Sequence, residues 1–236
     1  MRLLAIGDIH GCSKAFDTLL ALVAPTSDDW LVTLGDHIDR GPDSKGVMAR
    51  LFSLAATGRL ISLMGNHEQM ILDAREDVGL VPMWLQYGGE ATLASYRRPG
   101  HPPSFDDIPA GDWKFLEQFC VNYFESEKHF FVHGNADPDL WLPDQPTAVL
   151  RWQKFFAPRP HKSGKTMVCG HTYQASGWPK NLGHAVCIDT WAYGNGWLTC
   201  LDVETGEFWQ ANQQGEARTA HLDQFLEKPE AAAEDD

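Results

Sequence analysis

The chain has 236 residues, a length that is ordinary for one globular domain and leaves room for at most two. Hydrophobic residues make up 43% of the chain and charged residues 22%, which excludes a chain that is disordered throughout. The net charge is −13, from 19 basic and 32 acidic residues, and a negative field of this size repels nucleic acids and anionic membranes. We therefore expect neither nucleic acid nor membrane as a partner.

The first 76 residues alternate between short apolar segments and amphipathic segments. The apolar segments predict strands at Leu3–Ile6, Trp30–Leu34 and Leu60–Met64. The amphipathic segments predict helices at 13–24, from Asp43 or Ser44 to near Gly58, and at 68–75. Ser13 can cap the first helix through its hydroxyl oxygen. Strand–helix–strand units of this kind indicate parallel strands with helices on both faces.

The middle of the chain is less regular. Helical patterns occupy 83–96 and 112–122, while Arg97–Pro109 carries four prolines and predicts a loop. We interpret residues 77–125 as a helical cap inserted into a single domain that spans residues 1–226. Further strands are predicted at Phe130–Val132, Thr166–Cys169, Ala185–Ile188, Trp197–Val203 and Glu207–Gln210. Residues 227–236 predict an acidic, flexible tail.

Several features of the sequence bear on the cellular compartment of the protein. No apolar run approaches the roughly 20 residues that span a bilayer, and the run at Leu3–Ile6 is too short for a secretory signal. Five cysteines, an odd number without a Cys-x-x-Cys pair, argue against a disulfide scaffold and favour a reducing compartment. We expect a cytoplasmic protein, and the sequence makes no prediction about its oligomeric state.

Five of the predicted strands end in Asp, Asn or His beside a glycine, which lets the backbone turn sharply. In chain order these ends read GDIHG at 7–11, GDHIDRG at 35–41, GNHE at 65–68, VHG at 132–134 and CGH at 169–171. The carboxyl ends of parallel strands meet at one edge of a sheet, so we expect the polar residues to converge in one crevice. Asp8, Asp36 and Asn66 follow one another at 28 and 30 residues, which matches one βαβ unit each.

The polar residues at these strand ends form a candidate metal site without cysteine. The six candidate ligands are Asp8, His10, Asp36, Asn66, His133 and His171. Mixed imidazole and carboxylate donors favour two borderline divalent ions, Mn²⁺ first and Fe or Zn²⁺ as alternatives, over Mg²⁺ or Ca²⁺. Two ions about 3.5–4 Å apart are the usual arrangement for hydrolysing phosphate esters, and they need one bridging carboxylate. Asp36 lies centrally enough in the series to be that bridge.

Taken together, GDIHG, GDHIDRG, GNHEQM, FVHG and CGHT resemble the phosphoprotein phosphatase family of calcineurin-like metallophosphoesterases, especially its small bacterial and phage serine/threonine phosphatases. The resemblance covers roughly residues 1–210. It implies an α/β fold in which β-sheets form a sandwich flanked by helices, with a dimetal site at the carboxyl ends of strands. It also implies a hydrolase that removes phosphate from phosphoserine or phosphothreonine in proteins, or from small phosphoesters.

The resemblance implies a role for each residue of the site. One metal would be held by Asp8, His10 and Asp36, and the other by Asp36, Asn66, His133 and His171. A hydroxide that bridges the metals would attack phosphorus, and His67 would protonate the leaving alkoxide as general acid. Asp39 would orient the His67 imidazole, and Arg40 would bind the phosphate through its planar fork of donors.

Four positions depart from the pattern of the family. One is Met64, where relatives often carry arginine before the GNHE motif. The family's second phosphate-binding arginine follows a tryptophan, whereas this chain reads Arg-Trp-Gln-Lys at 151–154, so either Arg151 or Lys154 is a candidate. Tyr173 stands where relatives usually carry proline, and Trp191 where they usually carry glycine. A tryptophan at that place can narrow the crevice or offer a stacking surface to the substrate.

A second function from the same family stays open, the symmetrical hydrolysis of diadenosine tetraphosphate. Enzymes of that kind resemble GDLVARG and GNHD, whereas this chain has Asp39 before Arg40 and Glu68 after His67. These two differences favour the protein phosphatase. A scaffold that has lost catalysis is disfavoured, since His67, Asp39 and all six candidate ligands are present.

Other polar residues are expected to have structural roles. Glu68 is predicted to be an acid at a helix N-terminus, where the helix dipole favours a negative charge. The histidines without a role in the site are predicted to pack or to lie at the surface; they are His37, His101, His129, His161, His184 and His221.

Overall fold

Eleven strands and seven α-helices, joined by short 3₁₀ and π-helical turns, make up the computed structural model, which describes residues 1–227. The strands are β1 (Leu3–Ile6), β2 (Trp30–Thr33), β3 (Leu60–Ser62), β4 (Tyr123–Glu125), β5 (His129–Val132), β6 (Thr166–Cys169), β7 (Lys180–Asn181), β8 (Ala185–Cys187), β9 (Leu198–Asp202), β10 (Glu207–Ala211) and β11 (Ala217–His221). The helices are α1 (Ser13–Val23), α2 (Ser44–Ala55), α3 (Asn66–Glu76), α4 (Val81–Trp84), α5 (Glu90–Tyr96), α6 (Ala110–Lys114) and α7 (Thr147–Trp152).

The strands form two mixed sheets, of six and five strands. The first has the order β11-β10-β9-β1-β2-β3, in which β1, β2 and β3 are parallel. The second has the order β4-β5-β6-β8-β7, in which β5, β6 and β8 are parallel. Buried side chains of both sheets, such as Val32 and Phe131, pack in one apolar cluster, while helices pack on the other faces. The predicted α/β sandwich is therefore confirmed.

The polar strand ends belong to two sheets, which corrects the expectation of one parallel sheet edge. Strands β1, β2 and β3 of the first sheet lead to Asp8, Asp36 and Asn66, while β5 and β6 of the second lead to His133 and His171. The ends still meet, because the apolar faces of the two sheets pack against each other with these ends together. The backbone N–H of His171 accordingly donates to Asp8 Oδ2 over 2.9 Å.

The first two helices begin close to the predicted residues. Helix α2 begins at Ser44, and Asp43 caps it by accepting a hydrogen bond from Gly46 N at 2.9 Å. Helix α1 begins at Ser13, but Cys12 occupies the cap position and no side chain caps this helix. The predicted Ser13 cap is therefore wrong. The tight turn in which Cys12 N donates to Ile9 O brings the chain into the helix one residue early.

The predicted helix over 83–96 is broken into α4, a π-helical turn and α5. The break is at Gly88, whose φ of +109° lies outside the helical region. Gly88 O accepts a hydrogen bond from Arg40 N at 3.1 Å, and a Cβ at Gly88 would lie 2.7 Å from that nitrogen. The close approach of the Arg40 loop thus requires glycine and interrupts the helix. The predicted helix over 112–122 is likewise α6 followed by a π-helical turn that ends at Phe119.

Three sequence predictions concern the chain as a whole. The predicted tail lies outside the described residues from 228 onward, and Glu227 N donates to Asn181 O at 2.8 Å. Within residues 1–227, no helix combines the length and the apolar character that crossing a membrane requires. All five cysteines are free thiols, four of them buried.

A buried carboxylate ties the start of β1 to the start of β2. Asp29 accepts hydrogen bonds from Arg2 N at 2.8 Å, from Arg2 Nη2 at 2.7 Å and from Thr26 N at 2.9 Å. The hydrogen bond from the Arg2 guanidinium holds the pKa of Asp29 well below its ordinary value. A carboxylate of this kind stabilises the fold above its unfolded-state pKa of about 4, and the stabilisation declines as the pH falls towards the lowered folded-state value.

We expect Asp29→Asn to lower the free energy of unfolding by about 2 kcal/mol at pH 7, because charge-assisted hydrogen bonds are lost. Urea unfolding between pH 7 and pH 3 measures the effect, and the difference from wild type should shrink as the pH falls below about 4. Asp28→Asn, at the exposed neighbouring residue, is the matched control and should change little. A difference that stays constant over this pH range would contradict the role given to the Asp29 charge.

Candidate active site

Asp36 lies at the centre of a cluster of polar side chains where the two sheets meet. Its Oδ2 is 3.4 Å from His10 Nε2, and its Oδ1 is 3.3 Å from His133 Nε2. Two groups of possible metal-binding atoms share this carboxylate, each with its atoms within 4.8 Å of one another: His10–Asp36–His67 and Asp36–His133–His171. Asp36 therefore occupies a position between two groups of donors, as a bridging ligand must.

Three histidine rings of the cluster are each fixed by a backbone carbonyl. A carbonyl can only accept, so the ring nitrogen bonded to it carries a proton, and in the neutral ring the other nitrogen keeps its lone pair. The bonds are His10 Nδ1 to Ile38 O at 2.9 Å, His133 Nδ1 to Leu34 O at 2.7 Å, and His171 Nε2 to Trp152 O at 3.0 Å. The remaining nitrogens face Asp36 or Asn66, which is the orientation that metal-binding histidines adopt.

Burial keeps two of these rings neutral at pH 7. It lowers the pKa of His171 to about 4 and the pKa of His10 well below its ordinary value. Burial also acts to lower the pKa of His133, but the attraction of Asp36 outweighs it and that pKa is raised. Asn66 Oδ1 lies 3.0 Å from His133 Nε2 and 2.9 Å from His171 Nδ1. An amide oxygen and two ring nitrogens thus face a common point, as ligands of one ion would.

Asp8 points most directly to a bound cation. Its Oδ2 accepts a hydrogen bond from His171 N, while its buried Oδ1 has no hydrogen-bond partner within the described part of the chain. Burial, together with the nearby carboxylates of Asp189 and Asp36, raises the pKa of Asp8 well above its ordinary value. A buried, unpaired carboxylate beside two other acids is costly without a compensating positive charge. This set of carboxylates, imidazoles and one amide therefore fits divalent metal ions.

His67 rests on a buried carboxylate. Its Nδ1 lies 2.7 Å from Asp39 Oδ2, which also accepts a hydrogen bond from Trp84 Nε1 at 2.9 Å. Thr92 Oγ1 donates to Asp39 Oδ1 at 2.6 Å. His67 Nε2 is buried, has no hydrogen-bond partner within residues 1–227, and lies 3.9 Å from Asp36 Oδ2. The ring is thus held at one nitrogen and presents the other to the cluster.

Arg40 places its guanidinium at the edge of the same cluster. Its Nη1 is 3.2 Å from His10 Nε2, and the guanidinium carbon lies 4.5 Å from the centre of the Tyr193 ring. Burial keeps His10 neutral, so this nitrogen can accept from Arg40. The structure therefore brings the predicted phosphate-binding arginine next to the predicted metal ligands. Tyr193 is a neighbour that the sequence reasoning missed, because it lies outside the motifs.

Arg151 and Lys154 form no hydrogen bond with the predicted ligand side chains in the described part of the chain. Arg151 is half-buried and donates from Nε to Asn122 Oδ1 at 3.2 Å. The side chain of Lys154 is exposed. The segment that carries both residues nevertheless touches the site, since Trp152 O accepts the hydrogen bond from the His171 ring. Within residues 1–227, neither of the two candidates for the second phosphate-binding residue forms an ion pair with a predicted ligand.

Glu68 does more than interact with the dipole of α3, the role that the sequence predicts. It is fully buried, and its carboxylate accepts hydrogen bonds from Asp36 N and His37 N at 2.8 Å and from Gly65 N at 2.9 Å. These bonds join the loop after β2 to the loop after β3. The sequence signal for this role is an acidic residue directly after the GNH motif, in the first turn of a helix. His37, predicted to pack or to lie at the surface, is fully buried.

We expect Glu68→Gln to lower the free energy of unfolding of the metal-free protein by about 3 kcal/mol, because a buried charged acceptor is lost. The glutamine side chain has one acceptor oxygen for three backbone donors and turns an NH₂ group towards one of them. Urea unfolding in the presence of a chelator measures this effect. Glu76→Gln, at the exposed end of the same helix, is the control. Equal stability of the two variants would show that Glu68 does not join the loops.

Left-handed backbone is concentrated at this site. Eight residues other than glycine have a positive φ in the described part of the chain. Six of them lie in or beside the cluster, namely His10, Asp36, Asp39, Arg40, His171 and Trp191. Such conformations are unfavourable for residues with a Cβ atom and persist where the surrounding structure enforces them, often at functional sites.

The family of the chain follows from its likeness to known proteins. Residues 1–204 match the family described as calcineurin-like phosphoesterase. The chain is 43% identical over 214 residues to serine/threonine-protein phosphatase 2 of Salmonella typhimurium, which covers 84% of this chain and 91% of that protein. It is also 43% identical over 152 residues to serine/threonine-protein phosphatase 1 of the same organism, covering 63% of this chain and 62% of that protein.

Two further likenesses are narrower or more distant. The symmetrical bis(5'-nucleosyl)-tetraphosphatase of Acidovorax sp. is 44% identical over 75 residues, which cover 31% of this chain and 26% of that enzyme. The matches thus span less than two thirds of phosphatase 1 and of the tetraphosphatase. The solved structure of a serine/threonine phosphatase from Saccharomyces cerevisiae shares the fold, with a TM-score of 0.60 and 15% identity over 98% of this chain and 82% of that one. Because residues 1–204 match its family model, the chain belongs to the calcineurin-like phosphoesterase family.

Proposed function

We propose that the protein is a metal-dependent phosphatase that hydrolyses phosphate monoesters, with phosphoserine and phosphothreonine in proteins as its substrates. The observation that carries the proposal is the His67–Asp39 pair, which presents an imidazole nitrogen to a cluster of metal-binding atoms with Arg40 at its edge. A phosphate monoester brings to such a site a charged phosphate that must be bound and an alkoxide that must be protonated. Arg40 meets the first requirement and His67 the second.

Two groups of residues would hold the divalent ions. Asp8, His10 and Asp36 would hold one, and Asp36, Asn66, His133 and His171 would hold the other. When bound, such ions polarise the phosphate ester and lower the pKa of water, so that a nucleophile is available at neutral pH. We propose Mn²⁺, with Fe or Zn²⁺ as alternatives, because the donors mix imidazoles with carboxylates.

His67 and Arg40 act on opposite ends of the reacting ester. Asp39 accepts from His67 Nδ1 and so stabilises the imidazolium form, which leaves Nε2 to give its proton to the leaving oxygen. The side chains of His67 and Asp39 are fully buried, and a charge-assisted hydrogen bond is stronger away from water. Arg40 offers parallel N–H donors to the phosphate oxygens and thereby orients the ester.

Residues 77–125 would act as a helical cap of the single domain 1–226 and hold this machinery in place. Three contacts support the assignment: Trp84 Nε1 and Thr92 Oγ1 donate to Asp39, and Gly88 O accepts from Arg40 N. The cap would therefore fix the orientation of the general acid as well as cover it. We also propose a cytoplasmic location, which the five free thiols support.

The symmetrical hydrolysis of diadenosine tetraphosphate is the second candidate, and the likeness to the Acidovorax enzyme favours it. That likeness covers 26% of the relative, whereas the likeness to phosphatase 2 covers 91% of its relative. The leaving group in that reaction is a phosphate, which is less basic than an alkoxide. It therefore depends less on protonation by a general acid. The buried Asp39 partner of His67 therefore has more to contribute to a serine or threonine ester.

The test compares the two substrates on one preparation of enzyme. Metal-stripped protein is reloaded with Mn²⁺, Fe²⁺ or Zn²⁺, and kcat/KM is measured for phosphate release from a phosphoserine peptide and for cleavage of diadenosine tetraphosphate. We expect the peptide to give the larger value with Mn²⁺. A larger value for the dinucleotide would replace the proposed substrate by the second candidate. Hydrolysis of neither substrate with any of the metals would overturn the proposal.

A further inference from the structure

A row of aromatic rings leads from the metal cluster to the surface. The Tyr193 ring lies 4.9 Å from the His10 ring, and the Trp191 ring lies 6.4 Å from Tyr193, both edge to face. Tyr173 stacks on Trp191 with the ring centres 5.2 Å apart, and Tyr173 is 51% exposed. We call Tyr193, Trp191 and Tyr173 the aromatic row. It begins where Arg40 lies over Tyr193, at the place where a phosphate would be held.

The middle ring of this row is held by strained backbone. Trp191 has a φ of +67°, a conformation that glycine adopts freely and that a residue with a Cβ atom disfavours. Its ring packs on Gly194, where an added Cβ would lie 2.3 Å from the indole. The backbone N–H of Trp191 donates to Asp189 Oδ1 at 3.0 Å. Trp191 is only partly buried. Strain of this kind recurs at the ligand residues of the same cluster, which places Trp191 with the site rather than with the core.

We propose that the aromatic row binds an aromatic side chain of the substrate that lies next to the phosphorylated residue. The inference rests on the proposed phosphatase activity and adds a sequence preference to it. An aromatic side chain of the substrate that packs against Tyr173 and Trp191 gains ring–ring contacts while the phosphate of the neighbouring residue stays at Arg40. Peptide chemistry is favoured over a nucleobase because the His67–Asp39 pair suits an alkoxide leaving group.

Phosphoserine peptides that differ at one residue test this preference. Three peptides carry Phe before the phosphoserine, Phe after it, or Ala at both places. In wild type we expect the better Phe peptide to exceed the Ala peptide about 3- to 10-fold in kcat/KM, the range that one ring–ring contact corresponds to. The difference should appear in KM, because the ring contributes to binding and lies apart from the reacting atoms.

Variants of the row then locate the effect. Tyr173→Ala removes an exposed ring, and Trp191→Gly removes the indole while supplying the residue that suits this backbone. In both variants the ratio between Phe and Ala peptides should fall towards one, whereas Tyr173→Phe should keep it. Each ratio is taken within one variant, so a general loss of activity cancels. A ratio near one in wild type, or a ratio unchanged in both ring-deleted variants, would overturn the inference.

A nucleotide arm separates the two sources of an aromatic ring. Adenosine 5'-monophosphate is compared with ribose 5-phosphate, which lacks the base. The ratio of kcat/KM for the nucleotide to that for ribose 5-phosphate is compared with the ratio of the Phe peptide to the Ala peptide. A larger nucleotide ratio that falls towards one in the same variants would assign the row to a base and overturn the peptide assignment. Phosphate release from the Ala peptide, with the Phe peptides hydrolysed no better, would refute the binding role of the aromatic row but not the phosphatase activity. Release from no peptide would refute the phosphatase proposal itself.

Discussion

Replacing His67 with Asn is expected to lower kcat at least about 100-fold while leaving the metal content nearly unchanged, since a positioned general acid contributes about 10²- to 10⁴-fold. The Nδ1 atom of His67 is bonded to Asp39 at 2.7 Å, and Nε2 faces the cluster without a hydrogen-bond partner in the described part of the chain. Asparagine can keep a hydrogen bond to Asp39, but it has no group that holds and releases a proton near neutral pH.

The measurement pairs kcat on a phosphoserine peptide with the number of metal ions per chain after dialysis. His101→Asn, at an exposed histidine between α5 and α6, is the matched control and should behave as wild type. A ring nitrogen of His67 also belongs to the His10–Asp36–His67 group of possible metal-binding atoms. Loss of bound metal together with activity would therefore identify His67 as a ligand and contradict its role as general acid.

Replacing Asp36 with Asn is expected to abolish binding of two metal ions per chain. The two carboxylate oxygens of Asp36 face different histidines, with Oδ1 at 3.3 Å from His133 and Oδ2 at 3.4 Å from His10. An amide is neutral and offers one oxygen, so it bridges two cations poorly. We expect fewer than two Mn²⁺ ions per chain in this variant and a loss of hydrolysis of at least about 100-fold, because both ions are needed for an in-line displacement.

Metal analysis after equilibrium dialysis against Mn²⁺ checks this expectation. Asp39→Asn is the matched control, since Asp39 is an equally buried carboxylate of the same loop that contacts His67 rather than the metal-binding group around His133. This control should keep two ions while losing activity. Two ions still bound to the Asp36→Asn variant would contradict the bridging role.

The strand ends could be predicted because each is marked by a local signal. An apolar run of a few residues, a glycine and a polar residue recur at Asp8, Asp36, Asn66, His133 and His171, and the structure brings these residues together. Their assignment to two sheets could not be derived from spacing. The connection from β3 to β5 is long and irregular, and the strand pattern does not state which sheet a strand joins.

Other features escaped prediction because they depend on tertiary contacts. The helix over 83–96 has a helical pattern, but Gly88 leaves the helical region to meet Arg40. Strand β11 lies at a sheet edge, and its side chains are exposed or half-buried, so it lacks the apolar alternation by which strands are recognised. The role of Glu68 as an acceptor for backbone N–H groups depends on two loops that lie against it in the folded protein.

The two-metal site is tested most directly by anomalous scattering from crystals of protein reloaded with Mn²⁺. We expect two peaks that share Asp36, one contacting Asp8 and His10 and the other contacting Asn66, His133 and His171, with His67 Nε2 bound to neither. A single peak, or a peak that His67 ligates, would contradict the arrangement on which the proposed hydrolysis depends.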